Sequence, residues 1–185
     1  MNNFFKKWPL ILGLASIVFA LDQWSKHWIV ENVPRDIFMS VIPGLFDIIH
    51  TRNKGAAFGF MAEMPENIRM PFFFVSSIVA LVGMLYYFSR EYPENNCVHI
   101  SLGLILGGAL GNIYDRITLG EVVDFLSFHY YDRWADFTLL GHYFYFRLEW
   151  PAFNIADSAI CLAITLLLFF MLSDDKRNKK GVLLP

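Results

Sequence analysis

The 185-residue sequence is poor in charge and lacks the usual signatures of metal-dependent and nucleotide-binding enzymes. Charged residues make up 17% of the chain and the formal net charge is −2, whereas a soluble domain usually carries about 25% charged residues. Without a basic excess, we predict no nucleic-acid partner. The chain has no His-Glu-x-x-His pair, no Gly-x-Ser-x-Gly elbow and no glycine-rich phosphate loop. We therefore predict no metal and no cofactor.

Cysteine is scarce as well. Cys97 precedes the third apolar run and Cys161 lies inside the fourth. Antiparallel spans would place these two sites at different depths, too far apart for a disulfide. We expect two free thiols.

Apolar residues dominate what remains. The chain is 56% hydrophobic and 17% aromatic, with nineteen Phe, and its mean hydropathy is +0.42. Four apolar runs cover residues 8–30, 71–89, 98–116 and 154–172, each near the roughly 20 residues that cross a bilayer. We predict an all-α membrane protein, a single integral domain over residues 1–185 with four transmembrane helices. The first run could also be a cleaved signal peptide, but its aromatic-rich segment continues past the possible cleavage site.

Basic residues predict the orientation of the spans. Lys6 and Lys7 precede the first span, Arg90 lies in the short second connection, and four further basic residues occur within 176–180. Because positive charge marks cytoplasmic segments, we expect both termini in the cytoplasm.

This orientation places polar side chains from three spans at one level, near the outer surface. Asp22 lies late in the first span, and Asp124 follows shortly after the third; the others at this level are Asn112, Asp115, Arg116, Asn154 and Asp157. Placing an ionisable side chain beside hydrocarbon costs free energy, so a residue of this kind is a candidate for a functional role. We predict that Asp124 and Asp157 meet, because two neighbouring carboxylates can share a proton and activate water.

Structural roles remain open for the same residues. Asp157 could stabilise the first turn of a helix for which Asn154 is the N-cap. Asp115 could form an interfacial salt bridge with Arg116, as the end of a helix often does. Gly103, Gly107 and Gly111 recur at intervals of four, a spacing typical of close helix packing.

Four blocks of this sequence resemble the prolipoprotein signal peptidase family, also called signal peptidase II. They are LDQWSK (21–26), RNKGAAFG (52–59), GGALGNIYDR with GEVVDF (107–116 and 120–125) and PAFNIADS (151–158). These blocks occur in this order on a four-span pattern, and the resemblance extends over nearly the whole length of the chain.

The resemblance implies an aspartic endopeptidase of the bacterial cytoplasmic (inner) membrane, with its active site at the outer, periplasmic side. Such an enzyme removes the signal peptide of diacylglyceryl-modified prolipoproteins by cutting before the lipidated cysteine, within the membrane lipid. It needs no metal and is inhibited by the cyclic peptide globomycin. By motif position the catalytic residues would be Asp124 and Asp157. Substrate-binding or site-shaping residues would be Asn53, Asn112, Arg116 and Asn154, and structural support would come from Asp22 and Lys26, to which we add Asp115.

Two connecting segments complete the expected fold. Residues 34–60 contain β-like runs around Pro43-Gly44, and the resemblance implies a small extracytoplasmic β-cradle there. Residues 127–150 are longer than the family usually has between its two aspartates, and they are dense in aromatics. Since Trp and Tyr favour the membrane–water interface, we predict a lid or interfacial helix over the site.

Two other function classes compete with the peptidase. Intramembrane acids also mark proton relays, which makes a small proton-coupled transporter the main alternative. Transporters, however, often carry acids near the midplane and internal repeats, and we find neither pattern. A scaffold that holds partners by its β-like loop is the third class.

Overall fold

The computed structural model describes residues 6–35, 37–55, 61, 63–92 and 94–181, except for the side chains of Asp132 and of residues 175–181. Four helices run through it: α1 (Trp8–Asn32), α2 (Glu66–Glu91), α3 (Asn96–Leu119) and α4 (Ile155–Gly181). Each contains a segment long and apolar enough to cross a membrane. The helix starts agree with the predicted spans except in α2, which begins at Glu66 and contains Pro71 in its second turn.

Helix α3 lies at the centre of the bundle and packs against α1 and α4. Its glycines allow this close approach: a Cβ at Gly107 would collide with the backbone of Ala15 in α1, and one at Gly108 with the Ala156 carbonyl in α4. Small residues at such contacts let helix backbones approach within a membrane. The predicted packing role of the glycine spacing is confirmed, and Gly108 adds a second face to it.

The prediction of an all-α fold is wrong in one respect. Four strands form an antiparallel sheet in the order β1 (Met39–Ile42), β2 (Phe46–Asn53), β3 (Val122–Leu139) and β4 (His142–Glu149). Only β1 and β2 come from the predicted cradle, of which residues 36 and 56–60 lie outside the described part of the chain.

Residues 127–150 form most of a β-hairpin, so of the two forms predicted there the interfacial helix is wrong, while the lid stays a prediction. Leu139 pairs with His142, which leaves a two-residue loop whose members, Leu140 and Gly141, both have positive φ. Positive φ at both loop positions characterises a type I′ turn, which suits the twist of paired strands. Aromatic residues also favour strands over helices because they pack well on a pleated surface.

The sheet is joined to the helix ends by a small apolar cluster. Val123 and Phe125 of β3 pack with Ile29 and Val33 from the end of α1, and all four are at most 5% exposed. Gly120, with φ +73°, ends α3, and β3 begins two residues later. The first residues of β3 are thereby held against the same end of the bundle at which α4 starts.

The two cysteines, Cys97 and Cys161, are both free.

Candidate active site

Asp124 and Asp157 line one cavity of about 450 Å³ at the junction of the sheet and the bundle. Asp124 comes from β3, and Asp157 lies in the first turn of α4. Polar side chains from β2 and α3 and an apolar wall complete the lining: Asn53, Gly55, Asn112, Arg116, Val122, Trp150, Pro151, Ala152, Phe153, Ser158 and Cys161.

Asn154 lies between the two aspartates and contacts both. Its side-chain amide donates to Asp124 Oδ1 at 2.8 Å, and its backbone N–H donates to Asp157 Oδ2 at 3.2 Å. In return its Oδ1 accepts from the Asp157 N–H at 3.0 Å, so Asn154 and Asp157 cap each other at the start of α4. The predicted N-cap is confirmed, and Asn154, with no exposed surface, is wholly buried.

The chain reaches this position because the segment before α4 pairs with β3. Phe153 exchanges backbone hydrogen bonds with Leu126, of 2.9 and 3.1 Å. This bridge places residue 154 beside residue 124 although thirty positions separate them in sequence.

Asn53 is the second donor to Asp124. Its amide nitrogen lies 3.0 Å from Asp124 Oδ2, while its own Oδ1 accepts from the Gly55 N–H at 3.0 Å. The turn at Gly55 therefore orients the Asn53 side chain with its donor toward the carboxylate. Thr51 of β2, which pairs with Asp124 in the strand register, keeps the two strands aligned here.

Asn112 is the corresponding donor to Asp157, with Nδ2 2.8 Å from Oδ1. Its Oδ1 accepts from Lys26 Nζ at 3.0 Å and from Asn154 Nδ2 at 3.1 Å. Two donors on the oxygen fix the orientation of the amide. The direction of the Asn112 side chain is thus set by Lys26, which lies outside the cavity lining.

Lys26 belongs to a buried charge cluster that joins α1, α3 and β3. It forms ion pairs with Asp22 at 2.7 Å and Asp115 at 3.0 Å, with all three side chains at most 3% exposed. Asp115 also accepts from the Val123 N–H at 3.1 Å, and Asp22 from the Ala156 N–H at 3.0 Å. The cluster therefore holds both the strand that carries Asp124 and the helix that carries Asp157.

Gln23 is a member of this cluster that sequence reasoning missed. Its amide donates to Asp22, to Asp115 and to the Gly111 carbonyl, at 2.9 to 3.2 Å. Like Asp22 and Lys26, it is a polar residue within an apolar run, and that pattern alone could have identified it.

The structural ion pair that was open for Asp115 forms with Lys26 and not with Arg116. Asp115 faces Lys26 on the inner side of α3, while the Arg116 guanidinium turns to the cavity. There it donates to the Gly55 carbonyl at 3.1 Å and lies 4.6 Å from the Phe73 ring centre. Consecutive helix residues point about 100° apart, which explains why neighbours in sequence serve different partners.

Burial gives Asp124 an unusual affinity for protons. Burial first, and then the charge of Asp157, raise the pKa of Asp124 from 3.8 to about 7, against the lowering effect of the hydrogen bonds from Asn53 and Asn154. A carboxyl group with this pKa can carry a proton at neutral pH and release it during a reaction.

Comparisons with known proteins agree with this architecture. The family model described as "Signal peptidase (SPase) II" matches residues 14–173. The lipoprotein signal peptidase of Syntrophotalea carbinolica is 37% identical over 92% of this chain and 95% of its own. That of Geobacter sulfurreducens is 40% identical over 89% and 91%, and that of Bacillus pumilus is 36% identical over 91% and 96%.

Two solved structures, each described as a bacterial membrane enzyme, share the fold. One has a TM-score of 0.72 at 30% sequence identity and covers 92% of both chains. The other has a TM-score of 0.68 at 30% identity and covers 90% of this chain and 95% of its own. With the family match over most of the sequence, the chain belongs to the signal peptidase II family of multi-pass membrane proteases.

Proposed function

We propose that this protein is an aspartic endopeptidase that removes the signal peptide from diacylglyceryl-modified prolipoproteins, cutting before the lipidated cysteine. One observation carries the proposal: Asp124 and Asp157 line the same cavity, and Asn154 forms a hydrogen bond to each of them. Family membership supports the substrate class, because the relatives are lipoprotein signal peptidases.

The two carboxylates take different parts in the reaction. Asp124, with its raised pKa, carries the shared proton and donates a hydrogen bond to the scissile carbonyl. Asp157, which accepts hydrogen bonds from Asn112 and from the Asn154 N–H, takes a proton from the attacking water. The tetrahedral intermediate then collapses, and a proton passes to the leaving amine.

Asn53, Asn112, Arg116 and Asn154 position the substrate and the dyad. The Arg116 guanidinium is the cationic group of the cavity lining, and it is anchored to the Gly55 carbonyl. Asp22, Lys26 and Asp115 support the site from behind through the buried ion pairs.

The position of the cavity suits a lipid-anchored substrate. It lies where the sheet meets α3 and the start of α4, and part of its wall is apolar, with Val122, Trp150 and Phe153. A diacylglyceryl group held in the outer leaflet of the cytoplasmic membrane would present the adjoining peptide at this level. With both termini in the cytoplasm, the site faces the periplasmic side.

A cleavage assay in defined micelles tests the proposal. Wild-type protein should cut a precursor that carries the diacylglyceryl group and leave the unmodified precursor intact, and globomycin should inhibit the reaction. Asp124→Asn and Asp157→Asn should each lower turnover by about 10²–10⁴-fold, whereas Glu31→Gln, at an exposed residue of α1, should not.

Other outcomes would point to another mechanism or class. Near-normal turnover in either aspartate variant would contradict the dyad, and loss of activity in EDTA with recovery on adding zinc would contradict a metal-free mechanism. Solute flux without cleavage in proteoliposomes would favour the transporter alternative. The buried acids of the described residues, Asp22, Asp115 and Asp124, however, cluster where β3 and the start of α4 meet, whereas proton relays often have acids near the middle of the membrane.

A further inference from the structure

The β3–β4 hairpin separates charged from uncharged side chains onto its two faces. Paired residues share a face, and successive residues alternate between faces. The register pairs Ala135 with Phe146, Phe137 with Phe144 and Leu139 with His142. This face, to which Leu148 also belongs by alternation, carries no Asp, Glu, Lys or Arg within 134–148. We call it the apolar face.

The opposite face is polar and aromatic. Trp134 pairs with Arg147, Asp136 with Tyr145, and Thr138 with Tyr143. Arg147 lies 3.2 Å from Glu149, which alternation places on the same face. We call this the polar face.

Ring contacts agree with this division of the hairpin. Phe137 stacks on Phe144 with centroids 5.3 Å apart, and Trp134 stacks on Tyr145 at 4.9 Å. Each pair therefore remains on its own face.

The apolar face is uncovered in the protein alone. Phe137, Phe144 and Phe146 remain 44%, 40% and 48% exposed despite contact with one another, and Leu139 is 56% exposed. A contiguous exposed apolar patch of this kind marks a surface that meets another apolar phase.

The attachment of the hairpin indicates which phase that is. Strand β3 starts three residues after α3 ends, and α4 starts six residues after β4 ends. Both strands are therefore tethered to helix ends on one side of the membrane. At the root, Val123 and Phe125 pack on the last turns of α1, and the Tyr131 N–H donates to the Gly44 carbonyl at 2.8 Å.

The helices next to this root expose large apolar side chains close to it, such as Trp28 of α1 and Ile117 of α3, and both helices are long and apolar enough to cross a membrane. The lipid chains that would surround these helices are therefore the apolar phase nearest to the apolar face of the hairpin. The Trp and Tyr side chains of the polar face suit the headgroup region, where such amphipathic rings concentrate.

We propose that the apolar face of the β3–β4 hairpin lies on the membrane leaflet beside the active site and inserts Phe137, Phe144 and Phe146 among the lipid chains. The polar face is turned to water. The hairpin then acts as an interfacial anchor, comparable in its physics to an amphipathic helix lying in the membrane surface.

Adjacent residues of β4 provide a matched test that does not depend on catalysis. Phe144 lies on the apolar face and Tyr145 on the polar face, one residue apart. Each would be replaced by Cys, in a chain whose Cys97 and Cys161 are changed to Ser, and labelled with an environment-sensitive fluorophore. The labelled full chain would be reconstituted in phosphatidylcholine–phosphatidylglycerol vesicles with or without spin-labelled lipid.

The expected result is a blue-shifted emission at position 144 that spin-labelled lipid quenches and aqueous iodide does not. Position 145 should show the reverse pattern. Equal iodide quenching at both positions would overturn the proposal. So would quenching at 144 that ignores the lipid label, with emission that changes as the protein-to-lipid ratio rises, because a second copy would then cover the face.

A second measurement introduces a carboxylate on one face of the hairpin at a time. Phe144→Asp should make position 146, labelled in the same way through Phe146→Cys, accessible to iodide, because a carboxylate is costly in hydrocarbon. Tyr145→Asp should leave position 146 protected. Protection retained in both variants would contradict the anchor. None of these readouts uses the cleavage assay, so failure of the anchor and failure of the proposed function are separable.

Discussion

Lys26 donates from Nζ to the Asn112 side-chain oxygen at 3.0 Å, and this contact decides that the amide nitrogen of Asn112 faces Asp157. A lysine on α1 thus controls a hydrogen bond to a proposed catalytic carboxylate on α4. The chain of contacts passes through α3, which lies between them.

The first prediction concerns this chain of contacts. Asn112→Ala should lower kcat by about 10- to 100-fold, equivalent to one hydrogen bond to a charged group of about 1.5–3 kcal/mol, with a smaller effect on KM. Steady-state cleavage of lipidated precursor measures both constants. Thr118→Ala is the control, since Thr118 bonds only within α3 and is exposed. A change in KM alone would assign Asn112 to substrate binding.

The second prediction follows from the pKa of Asp124, which is raised from 3.8 to about 7. Between these values the folded protein holds a proton that the unfolded chain releases, so this group's stabilising contribution is present at low pH and lost as pH rises through about 7. The melting temperature of the wild type should therefore decline from pH 5 to pH 8 by an increment that is missing in Asp124→Asn. Cleavage should fall over the same rise in pH, as Asp124 loses its proton. If the melting temperatures of the two proteins changed equally from pH 5 to pH 8, the raised pKa of Asp124 would be contradicted.

The third prediction separates support from chemistry at Asp115. Asp115→Asn keeps the shape of the side chain but removes one of the two charges that face buried Lys26. Removing one partner of a buried ion pair typically costs about 3–5 kcal/mol, and Asp22 remains to limit the loss. We expect lower yield and melting temperature, with turnover per folded molecule reduced far less. An unchanged melting temperature with lost turnover would instead place Asp115 in the reaction.

The fourth prediction uses the glycines of α3. Gly111→Ala should be destabilising and inactivating, because the added methyl would collide with the Asp22 carboxylate that holds the start of α4. Overpacking of this kind usually costs about 1–3 kcal/mol. Gly13→Ala on α1 is the matched control, since nothing lies within 4 Å of a Cβ there. Thermal unfolding and cleavage together test it, and equal behaviour of the two variants would argue against tight packing at Gly111.

The fifth prediction compares two aromatic residues of the hairpin. Phe137→Ser should raise KM for a lipidated precursor in vesicles more than it lowers kcat, because the apolar face would lose part of its lipid contact. Trp134→Ser, on the polar face, should raise KM less. Kinetics in vesicles measure this, and a larger effect at Trp134 would reverse the assignment of the faces.

Sequence reasoning predicted which polar residues come together, because their placement follows simple physical rules. Charges beside hydrocarbon are few, and the orientation predicted from the basic residues puts Asp22, Asp124 and Asp157 at one level. The Asn154 cap was likewise readable from its position at the start of an apolar run.

The partner of each charged side chain could not be predicted from the sequence. Asp115 and Arg116 are adjacent in sequence, yet Asp115 forms an ion pair with Lys26 and Arg116 donates a hydrogen bond to the Gly55 carbonyl. These choices depend on how α1 and the sheet pack against α3. A one-dimensional pattern does not contain that information.

The hairpin was missed for a local reason. Aromatic residues occupy both of its faces, so the alternation of apolar and polar residues that usually identifies a strand is weak. Its loop residues, Leu140 and Gly141, also differ from the Asn-Gly pair that most often signals a two-residue turn. The aromatic content predicts an interfacial segment, which stays a prediction, but it does not predict a strand.

The contribution of Asp124 and Asp157 by different elements has a consequence for biosynthesis. Asp124 is on a strand that follows the third helix, and both Asp157 and its partner Asn154 come only with the fourth. A chain still emerging from the ribosome lacks half of the proposed dyad until its last membrane segment has been made. On the proposed mechanism, a nascent chain is therefore inactive, and cleavage begins only when the final helix has docked.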